Sequence, residues 1–462
     1  MRSSRRSVSL LFVAMLVLRV SIAQSQQSRD PSKRDPSKVD ARPSAAWVRD
    51  GVIYELNTRT FSDAGTFNGA VARLDSLRAL GVTVVWLMPI HPIGQEKKKG
   101  SIGSPYAVRD YYEVNTAFGT KDDLRRFVTE AHRRGLKVII DIVANHTSWD
   151  NTMMATPAFY RRDAQGRIVS PYDWTDVAAL DYTNPALRKY MTDMLKYWMR
   201  DFDLDGFRCD VAGEVPTNFW EQARAELEKI KPEIMMLAEA HKPDLLMRAF
   251  DLDYSWPVYG AMADVITAGR SAKAIRGEWE TERSAYPRGA LHMRFSDDHD
   301  EKRAIARFGE RAALAASALV FTIDGVPLLY NGQEVGDVTE SGAPALFERM
   351  PVFWQGGERR PEFAAFYRSM IPLRRDHPAL RQGALQWVKN SDEDRILTYT
   401  RSDTREEFLV AINLSSRPFT GTIDATPAGF TDVTPGVEAM RVIGLPAISL
   451  GAWGFRVFQR AR

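Results

Sequence analysis

Eight short apolar runs, set apart by amphipathic or polar stretches, constrain this chain more than anything else in its sequence. They are GVIYEL (51–56), TVVWLMPI (83–90), KVIIDIVANH (137–146), DGFRCDVA (205–212), EIMMLAEA (233–240), AFDLDYSW (249–256), LHMRFSDDHD (291–300) and GVPLLYNGQE (325–334). Runs of this length with little polar alternation suit parallel strands buried on both faces. Between them lie segments such as KDDLRRFVTEAHRRG (121–135), with apolar residues at helical spacing and a glycine to end the helix. Eight such strands predict a closed (β/α)8 TIM barrel over residues 47–378. From about Ala379 the texture changes to short alternating runs, RILTYTR, EEFLVAINLS and GFRVFQR, divided by Gly, Pro, Ser and Asp. This tail reads as a separate antiparallel β-sandwich domain over 379–462.

The N-terminus has a different character. MRSSRR precedes an apolar run from Leu10 to Leu18, and Ser21-Ile22-Ala23 offers small residues where a signal peptidase reads. Residues 1–23 are therefore expected to be an export signal, with the protein secreted or periplasmic. The ordinary secretory route fits better than twin-arginine export. The apolar core falls short of the roughly 20 residues that span a bilayer. Residues 24–46, with RDPSK twice in succession, read as a flexible linker. The first 46 residues hold nine Lys and Arg against three Asp, a surplus of six that turns the chain's net +3 into −3 for residues 47–462. That balance argues against a nucleic-acid partner. Cys209 is the sole cysteine, so no intramolecular disulfide can form. The expected partner is a small-molecule substrate, without membrane or nucleic acid, and the expected state is a monomer.

Spacing then locates chemistry. Successive strand residues face opposite ways, so in GFRCDV the residues Phe207, Cys209 and Val211 share one face, and Arg208 and Asp210 the other. The charged pair should point at the barrel axis near its carboxyl end, where active sites of this fold lie. Glu239 follows Asp210 by 29 residues, close to the roughly 30 of one strand–helix–strand step, which sets both carboxyls at one height on adjacent strands. Asp300 comes 61 residues after Glu239, about two further steps of roughly 30, and returns to the same rim. His146 precedes Asp210 by 64 residues although one strand step separates them. The surplus predicts a short inserted subdomain after the third strand, at about 147–182.

Carboxyls converging on a barrel mouth suit divalent-metal chemistry, proton abstraction, or glycoside cleavage by an acid and a nucleophile. Arg208, two residues from Asp210, is expected to hold that carboxylate ionised. Glu239 sits among Met235, Met236, Leu237, Ala238 and Ala240, where desolvation is expected to raise its pKa toward that of a general acid. One charged and one protonated carboxyl is the division of labour in retaining glycoside hydrolysis.

DIVANH (141–146), GFRCDVA (206–212), LAEA (237–240) and FSDDHD (295–300) resemble, in order and at suitable intervals, the four main motifs of the α-amylase family, glycoside hydrolase family 13. VAALD (177–181) is similar to its fifth motif, and GSPYAVRDYYEVNTAFGT (103–120) to the segment before the first. The resemblance runs from Trp47 to the C-terminus. It implies a retaining α-glycoside hydrolase acting on starch-like glucans or maltooligosaccharides. Asp210 would be the nucleophile, Glu239 the general acid/base and Asp300 the stabiliser of the distorted transition state. Arg208 would orient Asp210, His146 and His299 would hydrogen-bond the sugar before the scissile bond, and Tyr106 would stack on it. Each has a structural rival: a satisfied histidine, a core tyrosine. Asp141 is read as a structural partner of Arg208. Asn145 matches the family's calcium ligand but could equally cap its loop, and no cofactor is required by the reading.

The sequence also departs from the family. Where many α-amylases carry Lys-His after the nucleophile motif, this chain has Gly213 and Glu214, which puts both calcium and acceptor-side contacts in doubt. Asp298 replaces the usual asparagine, an extra acid beside Asp300. Trp149, Tyr172 and Trp174 line a sugar cleft or form the core of the subdomain. EKKKG (96–100) reads as a solvated loop with no role. Two other functions remain open at this level: an α-glucan transglycosylase on the same machinery, and a non-catalytic carbohydrate-binding relative. A metal-dependent barrel enzyme is the alternative outside the family.

Overall fold

The computed structural model describes residues 35–462 except 427 and 443. The expected signal at 1–23 and the first part of the expected linker lie outside the described residues. All eight apolar runs form strands of one closed parallel barrel. In chain order the first strands are β1 (Ile53–Leu56), β2 (Val84–Leu87), β3 (Lys137–Val143), β4 (His146–Ser148), β5 (Val177–Ala179) and β6 (Gly206–Asp210). They are followed by β7 (Met235–Ala238), β8 (Leu252–Tyr254), β9 (Leu291–Arg294) and β10 (Val326–Tyr330). The barrel runs β1, β2, β3, β6, β7, β8, β9, β10 and back to β1. Most of its strands are buried along their whole length, as strands enclosed on both faces must be.

The helix Lys121–Arg133 shows how the intervening segments are specified. Thr120 and Asp123 cap its N-terminus reciprocally, and Leu124, Phe127, Val128 and Ala131 form its buried face. Strands β4 and β5 stand outside the barrel as an antiparallel pair, with Ser148 opposite Val177 and His146 opposite Ala179. They are the frame of the inserted subdomain, which rises between β3 and β6 over the carboxyl end of the barrel.

The C-terminal region contains β11 (Ala384–Trp387), β12 (Ile396–Ser402), β13 (Glu406–Asn413), β14 (Phe419–Thr422), β15 (Thr431–Asp432), β16 (Met440–Arg441), β17 (Ala447–Leu450) and β18 (Phe455–Ala461). A six-stranded sheet packs with the two-stranded β14–β17 sheet. Ile396, Leu409, Phe419 and Leu450 fill the space between them. The other face of the large sheet joins the main core through Leu397, Tyr399 and Phe408. Buried cations fasten the join: Arg401 donates to the Thr322 carbonyl at 2.8 Å, and Arg374 to that of Leu380 at 2.9 Å.

The second half of the expected linker is not a linker. Pro36–Lys38 forms a 3-10 turn, and Arg42 pairs with Asp251 at 2.7 Å and Glu228 at 2.5 Å beneath the barrel. Composition treated its charges as solvated; tertiary structure supplies Arg42 with two carboxylates, which hold this strap against the barrel.

Candidate active site

On β6 the side chains of Phe207 and Cys209 are buried in the apolar core, while Arg208 and Asp210 meet other charged groups within the barrel mouth. Gly206 opens the strand because its neighbour approaches closely: a Cβ there would lie 1.9 Å from the Met235 carbonyl oxygen. Val211 does not continue the outward face as expected. It turns to φ +41°, and its N–H donates to Glu239 Oε2 at 2.9 Å. The strand thus ends at Asp210, and the freed backbone donor serves a carboxylate on the next strand. Register supports that placement: Cys209 stands opposite Ala238, so Asp210 and Glu239 follow at one height.

Arg208 is wholly buried and ties three carboxyls together. Its Nη1 lies 2.9 Å from Asp141 Oδ1 and 3.0 Å from Asp210 Oδ1, and its Nη2 lies 2.8 Å from Glu239 Oε2. A second network closes the opposite side. His299 Nδ1–H donates to Glu55 Oε1 at 2.5 Å, and its Nε2 lies 2.7 Å from the Tyr106 hydroxyl and 3.3 Å from Asp300 Oδ2. The Tyr106 hydroxyl donates in turn to Asp141 Oδ2 at 3.1 Å. The Tyr106 ring lies nearly parallel to His299, 19° between planes. His146 Nε2 stands 4.0 Å from Asp210 Oδ2, with Trp174 edge-on to its ring at 5.5 Å. Of these groups Tyr106, His146, Trp174, Asp210, Glu239, His299 and Asp300 line one cavity of about 390 Å³. A larger hollow of about 880 Å³ between the C-terminal sheets contains none of them. Convergent titratable groups therefore mark the smaller cavity as the functional one.

The electrostatics reverse one expectation. Burial and the adjacent Glu239 carboxylate push Asp210 well above the ordinary carboxylate range, because Arg208 is shared and Asp210 Oδ2 has no hydrogen-bond partner. Burial also works to raise Glu239, but the Arg208 charge and the Val211 N–H outweigh it and hold Glu239 below its usual value. The sequence analysis paired Arg208 with Asp210 and Asp141; the fork of the guanidinium reaches Glu239 on the neighbouring strand as well. Asp210 and Glu239 stand at one height on adjacent strands, and Arg208 reaches both. Each charge acts on the other, so the two carboxyls titrate as a pair. Burial lifts Asp141 to about 6 against the pull of Arg208. Burial opposes charge on His299, yet Asp300 and Glu55 raise it to about 10, so it is an imidazolium at neutral pH. Burial of His146 outweighs the pull of the Asp176 and Glu239 charges and lowers it to about 4, so it is neutral.

Every residue singled out for catalysis or substrate binding lies in or beneath this cavity: Asp210, Glu239, Asp300, Tyr106, His146 and His299 line it, and Arg208 forms its floor. Asp298 caps the turn that presents Asp300, accepting from the Asp300 and Glu301 N–H groups at 3.2 and 3.0 Å. Trp174 lines the cavity, while Trp149 donates to the Thr175 carbonyl within the subdomain. Sequence reasoning missed Glu55, Lys99 and Asp176. Glu55 gave the same signal as Arg208, a charge at the carboxyl end of a buried strand. EKKKG is not idle: Lys99 pairs with Asp176 at 3.0 Å in the cavity wall.

Asn145, the expected calcium ligand, sits between β3 and β4. Its Nδ2 lies 3.4 Å from His146 Nδ1, and Asp181, the acid of the fifth motif, accepts from the Thr183 N–H and hydroxyl at 3.0 and 2.7 Å. Among the described residues no group of three or more His, Cys, Asp or Glu is placed to hold a metal ion. Asn145 and Asp181 alone are a poor set for a cation that takes six to eight oxygens, and no catalytic step is derived through one.

The catalytic-domain model of the α-amylase family matches residues 23–165 and 171–409. The chain belongs to the α-amylase family. It is 31% identical over 412 residues to the α-amylase MalA of Haloarcula japonica, which covers 85% of this chain and 59% of that protein. A cyclomaltodextrinase from a Bacillus species is 26% identical over 430 residues, covering 81% of this chain and 74% of its own. Among solved structures, the maltogenic α-amylase AmyB of Thermotoga neapolitana superposes with a TM-score of 0.82 at 31% identity, covering 90% of this chain and 99% of its own. An α-amylase from Lactobacillus plantarum gives 0.80 at 28%, covering 90% and 100%. In this family member all three motif carboxyls are present and meet at one site.

Proposed function

We propose that this family member is a retaining α-glycoside hydrolase of α-glucans or maltooligosaccharides. The observation that carries the reading is the single guanidinium of Arg208 gripping Asp210 and Glu239 at the floor of a part-enclosed cleft. Retaining chemistry needs two carboxyls close together, one as nucleophile and one as acid, and only one proton between them. Asp210 attacks the anomeric carbon as Glu239 protonates the glycosidic oxygen; the C–O bond breaks and a glycosyl ester forms on Asp210. Glu239, now ionised, takes a proton from water, whose oxygen attacks the same carbon and releases Asp210.

Catalysis needs that proton on Glu239 and the Asp210 carboxylate ionised, with the Arg208 guanidinium reaching both. The His299 imidazolium donates to sugar hydroxyls, Asp300 accepts from them, and the Tyr106 ring offers the stacking surface. Cleft burial strengthens each of these interactions.

The reading extends to an exported monomer. It is supported by the signal-like sequence at 1–23, the mild negative charge of residues 47–462, and the lack among the described residues of a helix long and apolar enough to cross a membrane. The same intermediate could pass to a sugar hydroxyl, so product analysis on maltoheptaose separates hydrolysis, which shortens chains, from transfer, which also lengthens them. The decisive experiment is trapping with 5-fluoro-α-glucosyl fluoride. Peptide mapping should place the glycosyl label on Asp210, and NMR of the first product should show retained α configuration. A label elsewhere, or a β product, overturns the assignment.

A further inference from the structure

An ion pair stands in the wall of the cleft. The leaving oxygen must face Glu239 on β7, and the ring that becomes attached must lie toward Tyr106, His146 and His299. The chain on the donor side therefore extends toward the loops after β2 and β3. There the Lys99 ammonium, 40% exposed, meets the Asp176 carboxylate, 7% exposed, at 3.0 Å. Both residues line the same cavity as the catalytic carboxyls. Asp176 lies close enough to His146 for its charge to act on that imidazole.

Three segments brace this crossing. Asp176 adjoins Val177, which pairs with Ser148 in the subdomain hairpin. The Lys99 loop is seated on the loop after β10: Ile102 N–H donates to the Phe347 carbonyl at 3.2 Å and Ser101 N–H to Glu348 Oε1 at 2.8 Å. Gly100, at φ +66°, lets the backbones meet, since a Cβ there would stand 2.4 Å from that of Phe347. The neighbouring Lys97 ammonium sits 3.4 Å from the Trp149 ring centre and holds the loop to the subdomain. A partly exposed ion pair is weak alone. Here it is fixed from both sides, and Leu346 and Phe347 complete the wall behind it. The enclosed volume, about 390 Å³, lies near the lower end of the ~300–1,000 Å³ range of ligand pockets.

We propose that the Lys99–Asp176 pair is the donor-end stop of the cleft, so that the enzyme releases short maltooligosaccharides from non-reducing chain ends instead of cutting within chains. This rests on the hydrolase reading above. A glucan continuing past the stop would have to break the ion pair and leave a shielded carboxylate without its cation, which disfavours internal binding.

The test compares p-nitrophenyl α-maltoheptaoside with a free non-reducing end against the same compound blocked there by a 4,6-ethylidene group, with products separated by chromatography. The native enzyme should cut the free substrate at least tenfold faster than the blocked one. In the Lys99→Ala/Asp176→Ala double variant the blocked-to-free ratio should rise at least tenfold and the first products should lengthen. Lys99→Met, which keeps the aliphatic stem and removes the charge, should move the ratio the same way and serves if the double variant does not fold. Equal cutting of both substrates by the native enzyme overturns the stop while leaving the hydrolase reading intact. So does an unchanged ratio in the folded variants. No turnover of either substrate overturns the hydrolase reading, and the stop with it.

Discussion

Asp205 and Asp210 flank one strand, five residues apart, and the fold treats them in opposite ways. At the amino end of β6, Asp205 receives His132 Nε2 at 2.6 Å, Lys137 at 3.0 Å, Lys231 at 3.3 Å and the Val138 N–H at 2.9 Å. Burial works to raise its pKa, but these donors and charges overcome it and bring the carboxyl to about 2. At the carboxyl end, Asp210 has part of one guanidinium for one oxygen and no partner for the other. The same residue type on the same strand is a satisfied structural anion at one end and a frustrated acid at the other. What separates structure from chemistry here is the count of donors per oxygen, since both carboxyls are buried.

The sharpest way to break this comparison is Asp210→Asn, which should lower kcat on the order of 10⁴- to 10⁶-fold, as loss of a nucleophile does in a concerted site. Single-turnover kinetics on a maltooligosaccharide would check it, and near-native turnover would remove Asp210 from the role. Asp205→Ala should instead cost about 1–3 kcal/mol of stability, since it leaves the buried Val138 N–H without its acceptor and the partly exposed His132, Lys137 and Lys231 without their carboxylate; urea unfolding reads the loss while kcat of the folded protein holds. The acid limb carries the same contrast. Because the Asp205 carboxyl is depressed from 3.8 to about 2, its stabilisation is full above pH 3.8 and fades as pH falls toward 2.

Glu55→Gln should reduce kcat/KM by roughly 10- to 100-fold, the worth of a hydrogen bond to a charged group. It should also bring the alkaline limb to lower pH, because His299 loses one of the carboxylates that raise it to about 10. A loss of rate with no movement of that limb would make Glu55 merely structural. A smaller effect belongs to Asp210→Asn and stability. The raised carboxyl destabilises the fold only above its ordinary pKa, so the variant's gain in Tm should be absent at pH 3.5 and grow toward pH 7. Treatment with EDTA should leave rate and Tm unchanged, given the poor donor set around Asn145; a loss restored by calcium would contradict that.

Much of this site was legible from period and interval. Alternation in GFRCD turned Arg208 and Asp210 inward, and the 29-residue step set Glu239 beside them, because strand pleat and βαβ length are local and repetitive. The reach of Arg208 to Glu239 was not legible, because it depends on a side chain crossing between strands. Glu55 could have been suspected by the logic applied to Arg208, but its partner His299 lies 244 residues away. Lys99 sat in a run of lysines where composition suggested only solvent, and no local pattern distinguishes the one that meets Asp176. Arg42 was lost for the same reason.

By itself the sequence determined eight buried strands, their order, the β-rich tail, and which carboxyls rise to the barrel mouth, since short-range periodicity decides each of these. Only the tertiary structure decided that one guanidinium is divided between two carboxyls, which histidine is charged, and that a lysine meets an aspartate in the cleft wall. Those outcomes depend on how many donors surround each oxygen, and residues distant in the chain bring them there.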